Sequence, residues 1–226
     1  MRWIGVDGCK SAWFFFALDG TRCEHGIVYQ VDDLLDRYPE AESIFIDIPI
    51  GLREKERQER RCDVLARRLL GGKRSASIFP APSRLAVTAD SYEKASRLNK
   101  ENTGRSLSKQ TWAIVPKIRE VDAVLQNSRR ARNKIREVHP EVCFWALGGR
   151  NAVRHSKKTQ TGFDERLKVL KRLHPEAENW AGRAFLHHSG KICRDDVIDA
   201  LAVALAAAQG PVTYRTLPKM PEKDST

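Results

Sequence analysis

The sequence lacks the two features that most often mark a membrane or secreted protein, a long apolar run and paired cysteines. Its longest uncharged apolar stretch runs from Ala200 to Ala208, far short of the roughly 20 residues of a membrane helix. The N-terminus reaches Asp7 without the apolar core of a secretory signal. The five cysteines are scattered and contain no CxxC pair, which is typical of free thiols. We therefore expect a cytoplasmic protein with no membrane partner.

Nucleotide-binding and zinc-binding motifs are missing as well. The chain has no GxGxxG motif, and residues 71–75 (Gly-Gly-Lys-Arg-Ser) match a phosphate-binding loop poorly because no strand precedes them. His187, His188 and Cys193 lack the companions of a convincing zinc site. The chemistry of this protein must therefore be sought in other residues.

The composition is that of a globular protein with a basic surface. Of its 226 residues, 41% are hydrophobic and 31% are charged, and the net charge is +11. This length suffices for one substantial core. A charge of this sign favours a polyanionic partner, of which nucleic acid is the commonest, although many basic surfaces are simply solvated.

Short apolar runs predict five strands. The first three are joined by short links and predict an antiparallel meander, while Pro49 and Pro140 close the last two. The predicted strands are Trp3–Val6, Ala12–Leu18, Gly26–Tyr29, Ser43–Ile48 and Ile135–His139.

Helical spacing of apolar residues dominates the rest of the chain. Residues 52–134 read as a mostly helical insertion, with a loop over residues 73–83. A further helix is predicted within residues 163–173, and the clearest one begins at Asp195 or Asp196 and ends at Gly210. From about residue 211 we expect a loose tail.

Four aspartates are candidates for a metal site, although Asp7 taken alone is better explained as a turn residue after the first strand. Asp7 ends the first strand and Asp47 interrupts the apolar run of the fourth. Asp196 and Asp199 lie three residues apart, hence on one face of the last helix, although the helix dipole alone also favours acids in a first turn. Glu137 or Glu141 would complete an acidic cluster, and the spacing does not decide between them. Buried charges normally meet a cation or a metal.

A cluster of carboxylates suits Mg²⁺ or Mn²⁺, which prefer oxygen ligands. Two such ions about 4 Å apart hold the attacking and leaving oxygens of a phosphodiester. We therefore expect Asp7, Asp47, Asp196 and Asp199 to be metal ligands, with Glu137 or Glu141 as a further catalytic acid.

These stretches resemble proteins of the ribonuclease-H-like fold. Residues 196–202 (Asp-Val-Ile-Asp-Ala-Leu-Ala) are similar to the D-x-x-D-A-L-A helix of RuvC-type Holliday-junction resolvases. The chain resembles more specifically the family of predicted nucleases called domain of unknown function 429. The matching stretches are residues 5–9, 46–52, 77–82, 137–141 and 195–204.

The resemblance implies an α/β fold in which helices flank a mixed five-stranded sheet with a helical insertion after strand four. It also implies a single domain, in which Asp7 and Asp47 are the strand acids and Asp196 and Asp199 the helix acids. The same fold hosts relatives of sugar kinases, so the resemblance supports the fold more directly than the reaction.

Basic segments of the insertion are candidates for binding substrate phosphates. Nine Lys or Arg residues stand against four acids between Arg53 and Arg74. Arg74, Ser77 and Arg84 surround a proline-rich loop, and Lys158 lies in a second basic segment. Each of these side chains, taken singly, is explained as well by an ordinary solvated surface.

Three functions are consistent with these patterns. The first is a metal-dependent nuclease acting on DNA or RNA, and the second is a non-catalytic nucleic-acid-binding module. The third is a phosphotransferase acting on a small molecule, for which no phosphate loop is recognisable. The sequence leaves the substrate, the metal and the oligomeric state open, and a homodimer is one option.

Overall fold

The computed structural model describes residues 1–210, 213 and 216–219, which leaves the predicted loose tail largely outside the described residues. Two compact units are present. The first combines residues 1–48 with residues 129–210, and the second contains residues 49–128. No helix among the described residues combines the length and the apolar character needed to cross a bilayer.

The first unit is built on a mixed five-stranded sheet, as predicted. Its strands lie in the order β3-β2-β1-β4-β5. The pairs β1–β2 and β2–β3 are antiparallel, whereas β1–β4 and β4–β5 are parallel. The strands are β1 (Arg2–Cys9), β2 (Ala12–Asp19), β3 (Arg22–Val28), β4 (Ala41–Ile46) and β5 (Ile135–Glu137).

Helices flank this sheet and make up most of the second unit. Helices α2 to α5 belong to the second unit, and the others to the first. In chain order they are α1 (Asp32–Arg37), α2 (Arg61–Leu70), α3 (Arg84–Val87), α4 (Tyr92–Thr103), α5 (Lys109–Asn127), α6 (Arg129–Lys134), α7 (Pro140–Leu147), α8 (Gln160–Leu173), α9 (Ala177–His187) and α10 (Arg194–Ala208).

The predicted helix at the end of the chain is the centre of the first unit's core. Nearly every residue of α10 from Val197 onwards is buried, and the helix packs on β1, β2 and β4. The approach to β1 is unusually close at Gly5, where an added Cβ would lie 2.1 Å from the Ala204 nitrogen and 2.5 Å from the Ala200 oxygen. Glycine at this position therefore sets the distance between the sheet and the helix.

Several elements differ from the sequence-based expectation. The predicted strand over residues 43–48 ends at Ile46, so Asp47 follows β4 instead of lying within it. Helices α7 and α9 were not predicted. For α7 the reason is Pro140, which reads as a stop although it occupies the first turn of the helix. A 3₁₀ helix over Gly72–Ser77 occupies part of the predicted loop.

Candidate metal centre

Two aspartates lie side by side where the parallel pairing of β1 with β4 ends. Asp7 itself lies within β1, which continues to Cys9, so it does not end the strand as the sequence predicted. Val6 of β1 pairs with Ile46 of β4, so the next residue of each segment, Asp7 and Asp47, lies beside the other. The Asp47 backbone N–H donates to the Val6 carbonyl oxygen at 3.0 Å, which continues the ladder past the end of β4. Alternation along the strands places Asp7 on the face of Gly5, which is the face that α10 covers. The two carboxylates therefore lie together where the β1–β4 pairing stops.

Helix α10 brings two more aspartates to this end of the β1–β4 pair. Asp199 directly precedes Ala200, whose carbonyl oxygen lies against Gly5, and it is only 2% exposed. Asp196 stands one turn earlier and is half-buried. Its Oδ2 accepts the Cys193 N–H at 2.8 Å, so it also caps the helix. Asp7, Asp47, Asp196 and Asp199 together are called the aspartate centre below.

Burial and mutual repulsion make the carboxylates of this centre unusually weak acids. Burial raises the pKa of Asp7 well above its usual value, and the charges of Asp47 and Asp199 add to the rise. Burial raises the pKa of Asp47 to about 7 and that of Asp199 to about 6, against the opposing effect of the Lys157 ammonium. Burial also raises the pKa of Asp196. Ionisation of these carboxylates is unfavourable because they are buried and repel one another, and a bound cation would offset that cost.

Lys157 is a member of the site that the sequence did not single out as a partner of the aspartates. Its ammonium donates to Asp199 Oδ2, while the lysine side chain remains 39% exposed. Although burial favours the neutral amine, the carboxylates of Asp199, Asp7 and Asp47 raise the pKa of Lys157 above its usual value. The ammonium is therefore a partial counter-charge with access to solvent.

The segment that carries Lys157 is held by a buried ion pair. Arg166 of α8 is fully buried and donates to Glu141 Oε1 at the start of α7. The same guanidinium donates to the His155 carbonyl oxygen at 3.0 Å and to the Gly162 carbonyl oxygen at 2.9 Å. This pair thus fixes the backbone on either side of Lys157.

The two glutamates left open by the sequence have different positions. Glu137 pairs in register with Ile46, so it lies on the face opposite Asp47. Its neighbour Val138 packs instead with Phe45 and Val203 of the apolar cluster. Glu141 is buried near the aspartates, and its charge raises the pKa of both Asp47 and Asp199. Glu141 therefore supports the centre through Arg166, and Glu137 acts on it through space.

The donor set is chemically suited to a hard divalent cation, although the side chains would have to move together to share one ion. Ions such as Mg²⁺ bind carboxylate oxygens at about 2.1 Å, so the oxygens around one ion lie within about 4.2 Å of one another. The aspartates are not among the described residues whose ligand atoms lie in threes within 4.8 Å of one another. Asp199 Oδ1, however, is buried and has no hydrogen-bond partner among the described residues. An ion would satisfy this oxygen and relieve the repulsion that keeps the carboxylates apart.

Of the residues predicted to bind phosphates, Arg74, Ser77 and Arg84 belong to the second unit and Lys158 to the first. Arg84 is 9% exposed and forms an ion pair with Asp122, its Nη2 lying 3.2 Å from Oδ1. Ser77 donates to the Arg74 carbonyl oxygen at 2.7 Å within the 3₁₀ helix of the second unit. Lys158 is exposed beside Lys157. His139 accepts the Glu141 N–H on Nδ1 at 3.2 Å and so caps α7.

Comparison with known proteins yields one match. The model of a family described as "Protein of unknown function (DUF429)" matches residues 5–223, which include the whole aspartate centre. No curated protein and no solved structure matches the chain significantly.

Proposed function

The chain belongs to the DUF429 family, and from its aspartate centre we propose that it is a Mg²⁺- or Mn²⁺-dependent nuclease that hydrolyses phosphodiester bonds of nucleic acid. The observation that carries the proposal is the meeting of Asp7, Asp47 and Asp199, which come from three separate elements and repel one another when ionised. A stable fold has no need of such an arrangement without a cation. Carboxylate oxygens are the ligands that these two ions prefer.

The topology supports the same proposal. Three antiparallel strands are followed by two parallel ones, and the acids stand within β1, directly after β4 and early in the last helix. This is the arrangement expected of a ribonuclease-H-like fold, which we propose for the first unit. Fold alone does not determine the reaction.

Each residue of the centre has a definite task in this proposal. Asp7, Asp47 and Asp199 hold the metal, while Asp196 fixes the start of α10 and offers its second oxygen. A metal ion held by these carboxylates would activate a water molecule and stabilise the leaving oxygen. The partly exposed ammonium of Lys157 lies beside Asp199, where it can contact a phosphate oxygen of an incoming strand. The net charge of +11 favours the encounter with a polyanion.

Single substitutions of the ligands test the proposal. We expect Asp7→Asn and Asp199→Asn to lower Mn²⁺-dependent cleavage at least 100-fold, since even the loss of an outer-shell partner costs about 10–100-fold. The substrates are single-stranded and duplex DNA, RNA and a branched junction. Asp195→Asn is the matched control, because Asp195 lies in the same helical turn outside the centre, and it should retain activity.

The alternatives give different results in the same assays. Retained cleavage in both folded ligand variants would contradict the assignment. Salt-sensitive binding of nucleic acid without metal-dependent cleavage would indicate a binding module. Stabilisation by ATP, without cleavage of any substrate, would indicate a phosphotransferase.

A further inference from the structure

Three histidines that do not belong to the aspartate centre meet at the edge strand β3 of the sheet. His25 belongs to the edge strand β3, His187 is the last residue of α9, and His188 follows it. One ring nitrogen from each lies within 4.8 Å of the other two. His25 Nδ1 and His188 Nε2 are 3.1 Å apart.

The ring geometry is close to what a shared metal ion requires. A tetrahedral ion with Zn–N distances of about 2.0–2.1 Å separates neighbouring ligand nitrogens by roughly 3.3 Å. The 3.1 Å contact between His25 and His188 is near this value. The rings of His187 and His188 are stacked with centroids 4.7 Å apart, and the His25 ring stands edge-on to both, at 90° and 84°. The third nitrogen, from His187, lies within 4.8 Å of the other two, and the His187 ring would turn out of the stack to direct its lone pair at a shared ion.

The surroundings hold the rings and leave an entrance. Phe14 packs edge-on against His188 at 5.6 Å and Phe16 against His25 at 5.9 Å, which fixes both rings on the side of the core. His187 is exposed, so an ion can enter from solvent. These contacts give the cluster a rigid inner wall and an open outer side.

The protonation state also suits a metal. Burial lowers the pKa of His25 to about 4, and the charges of His188, His187 and Arg183 add to the effect. Burial likewise lowers the pKa of His188. Both rings are therefore neutral near pH 7, which is the form that ligates metals. In the hydrogen bond between them one nitrogen carries the proton, and its move to the other nitrogen of that ring frees both lone pairs without a change of charge.

We propose that His25, His187 and His188 form a three-imidazole site for a transition-metal ion, with Zn²⁺ as the expected occupant and solvent as the fourth ligand. Imidazole suits Zn²⁺, Cu²⁺ and Ni²⁺, whereas Mg²⁺ and Mn²⁺ prefer oxygen. The first unit would thus carry two centres of opposite ligand chemistry. This inference does not depend on the nuclease activity.

Arg183 supplies a test that packing alone would not pass. It lies four residues before His187, on the same side of α9, and its charge lowers the pKa of His25. The same charge opposes a bound cation. Arg183→Gln should therefore tighten Zn²⁺ binding several-fold, whereas a purely structural histidine cluster would show no such response.

Calorimetric titration of the untagged protein with Zn²⁺ tests the site directly. The titration uses the Asp7→Asn/Asp199→Asn background, so that the aspartate centre does not contribute. We expect one equivalent of Zn²⁺ to bind, His187→Ala to weaken binding more than about tenfold, and bound Co²⁺ to show the strong visible absorption of tetrahedral coordination. His187 is exposed, so its replacement should not disturb folding.

His155→Ala is the matched control, because it removes an imidazole that pairs with Glu165 outside the cluster. It should leave Zn²⁺ binding unchanged. Equal Zn²⁺ binding by His187→Ala and its parent, or no binding by either, would overturn the proposal. Because the background lacks two carboxylates of the aspartate centre, failure here leaves the nuclease assignment standing.

Discussion

In residues 49–128, acids withdrawn from solvent lie against arginines, whereas in the aspartate centre several carboxylates share the ammonium of Lys157. Arg60 donates to both oxygens of Asp63, at 3.1 and 2.6 Å, and Arg84 does the same for Asp122, at 3.2 Å each. In the first unit, Asp199 keeps one buried oxygen without a hydrogen-bond partner among the described residues. Bidentate pairs satisfy both charges and stabilise the fold, while an under-neutralised cluster destabilises it unless a cation binds.

The largest effect is expected where the fold positions the aspartate centre. Gly5→Ala places a Cβ 2.1 Å from the backbone of α10, which neither β1 nor the buried helix can accommodate without moving. We expect a loss of at least about 3 kcal/mol in urea unfolding, as for severe overpacking. Metal-induced stabilisation should be lost with it, because Asp199 moves with α10.

Gly182→Ala is the control for the glycine substitution. An added Cβ at this position of α9 meets no atom within 4 Å, so alanine should be neutral or stabilise the helix by up to about 1 kcal/mol. Unchanged stability of Gly5→Ala would mean that the close approach of α10 to β1 does not set the geometry of the centre.

Replacement of aspartate by asparagine should change stability in opposite directions in the two units. Asp63→Asn removes the negative charge from a buried bidentate pair with Arg60, a residue that is only 7% exposed. We expect a destabilisation of roughly 2–4 kcal/mol, measured by urea unfolding. Asp90→Asn, which alters an exposed pair with Lys94, should leave stability nearly unchanged. If the two variants were equally stable, the buried pair would not be a stabilising element.

The smallest change in stability is expected in the aspartate centre, where the substitution should stabilise the protein. Asp7→Asn/Asp199→Asn removes carboxylates whose ionised forms are disfavoured. Without metal, the double variant should melt higher than the wild type at pH 7.5, by roughly 2–8 °C for a gain of about 1–2 kcal/mol. Mn²⁺ should raise the melting temperature of the wild type and not that of the variant.

The stability difference between the wild type and this double variant should depend on pH. The folded pKa values of Asp47 and Asp199, about 7 and about 6, lie above the usual 3.8. The folded state therefore binds more protons between about pH 4 and pH 7, and its stability falls as the pH rises through that range. The melting temperature of the double variant should exceed that of the wild type by less at pH 5 than at pH 8. A difference independent of pH would contradict the raised pKa values.

Local pattern was sufficient for the elements that carry the aspartates. Apolar runs end at Asp7 and near Asp47, and an almost wholly apolar helix begins around Asp199. Each pattern is readable because strand and helix periodicities depend on neighbouring residues. The exact end of β4 could not be predicted in this way, because it depends on hydrogen bonds with a partner strand, such as the one from the Asp47 N–H to Val6.

The remaining site residues could not be found from sequence. Lys157 lies in a connecting segment with no periodicity, and its contact with Asp199 spans 42 residues. The hydrogen bond between His25 and His188 spans 163 residues. Arg84, a predicted phosphate ligand, instead pairs with Asp122, 38 residues away. No spacing rule connects residues so far apart.

The sequence by itself determined the five strands and the last helix, and therefore which carboxylates border an apolar run. Burial of apolar side chains enforces these choices locally, with periods of two and of about 3.6 residues. Only the tertiary structure decided which polar groups face one another: Glu141 with Arg166, Lys157 with Asp199, and three histidines at the edge strand β3. Electrostatic and ligand contacts depend on distances of a few ångströms between remote segments, and those distances exist only after packing.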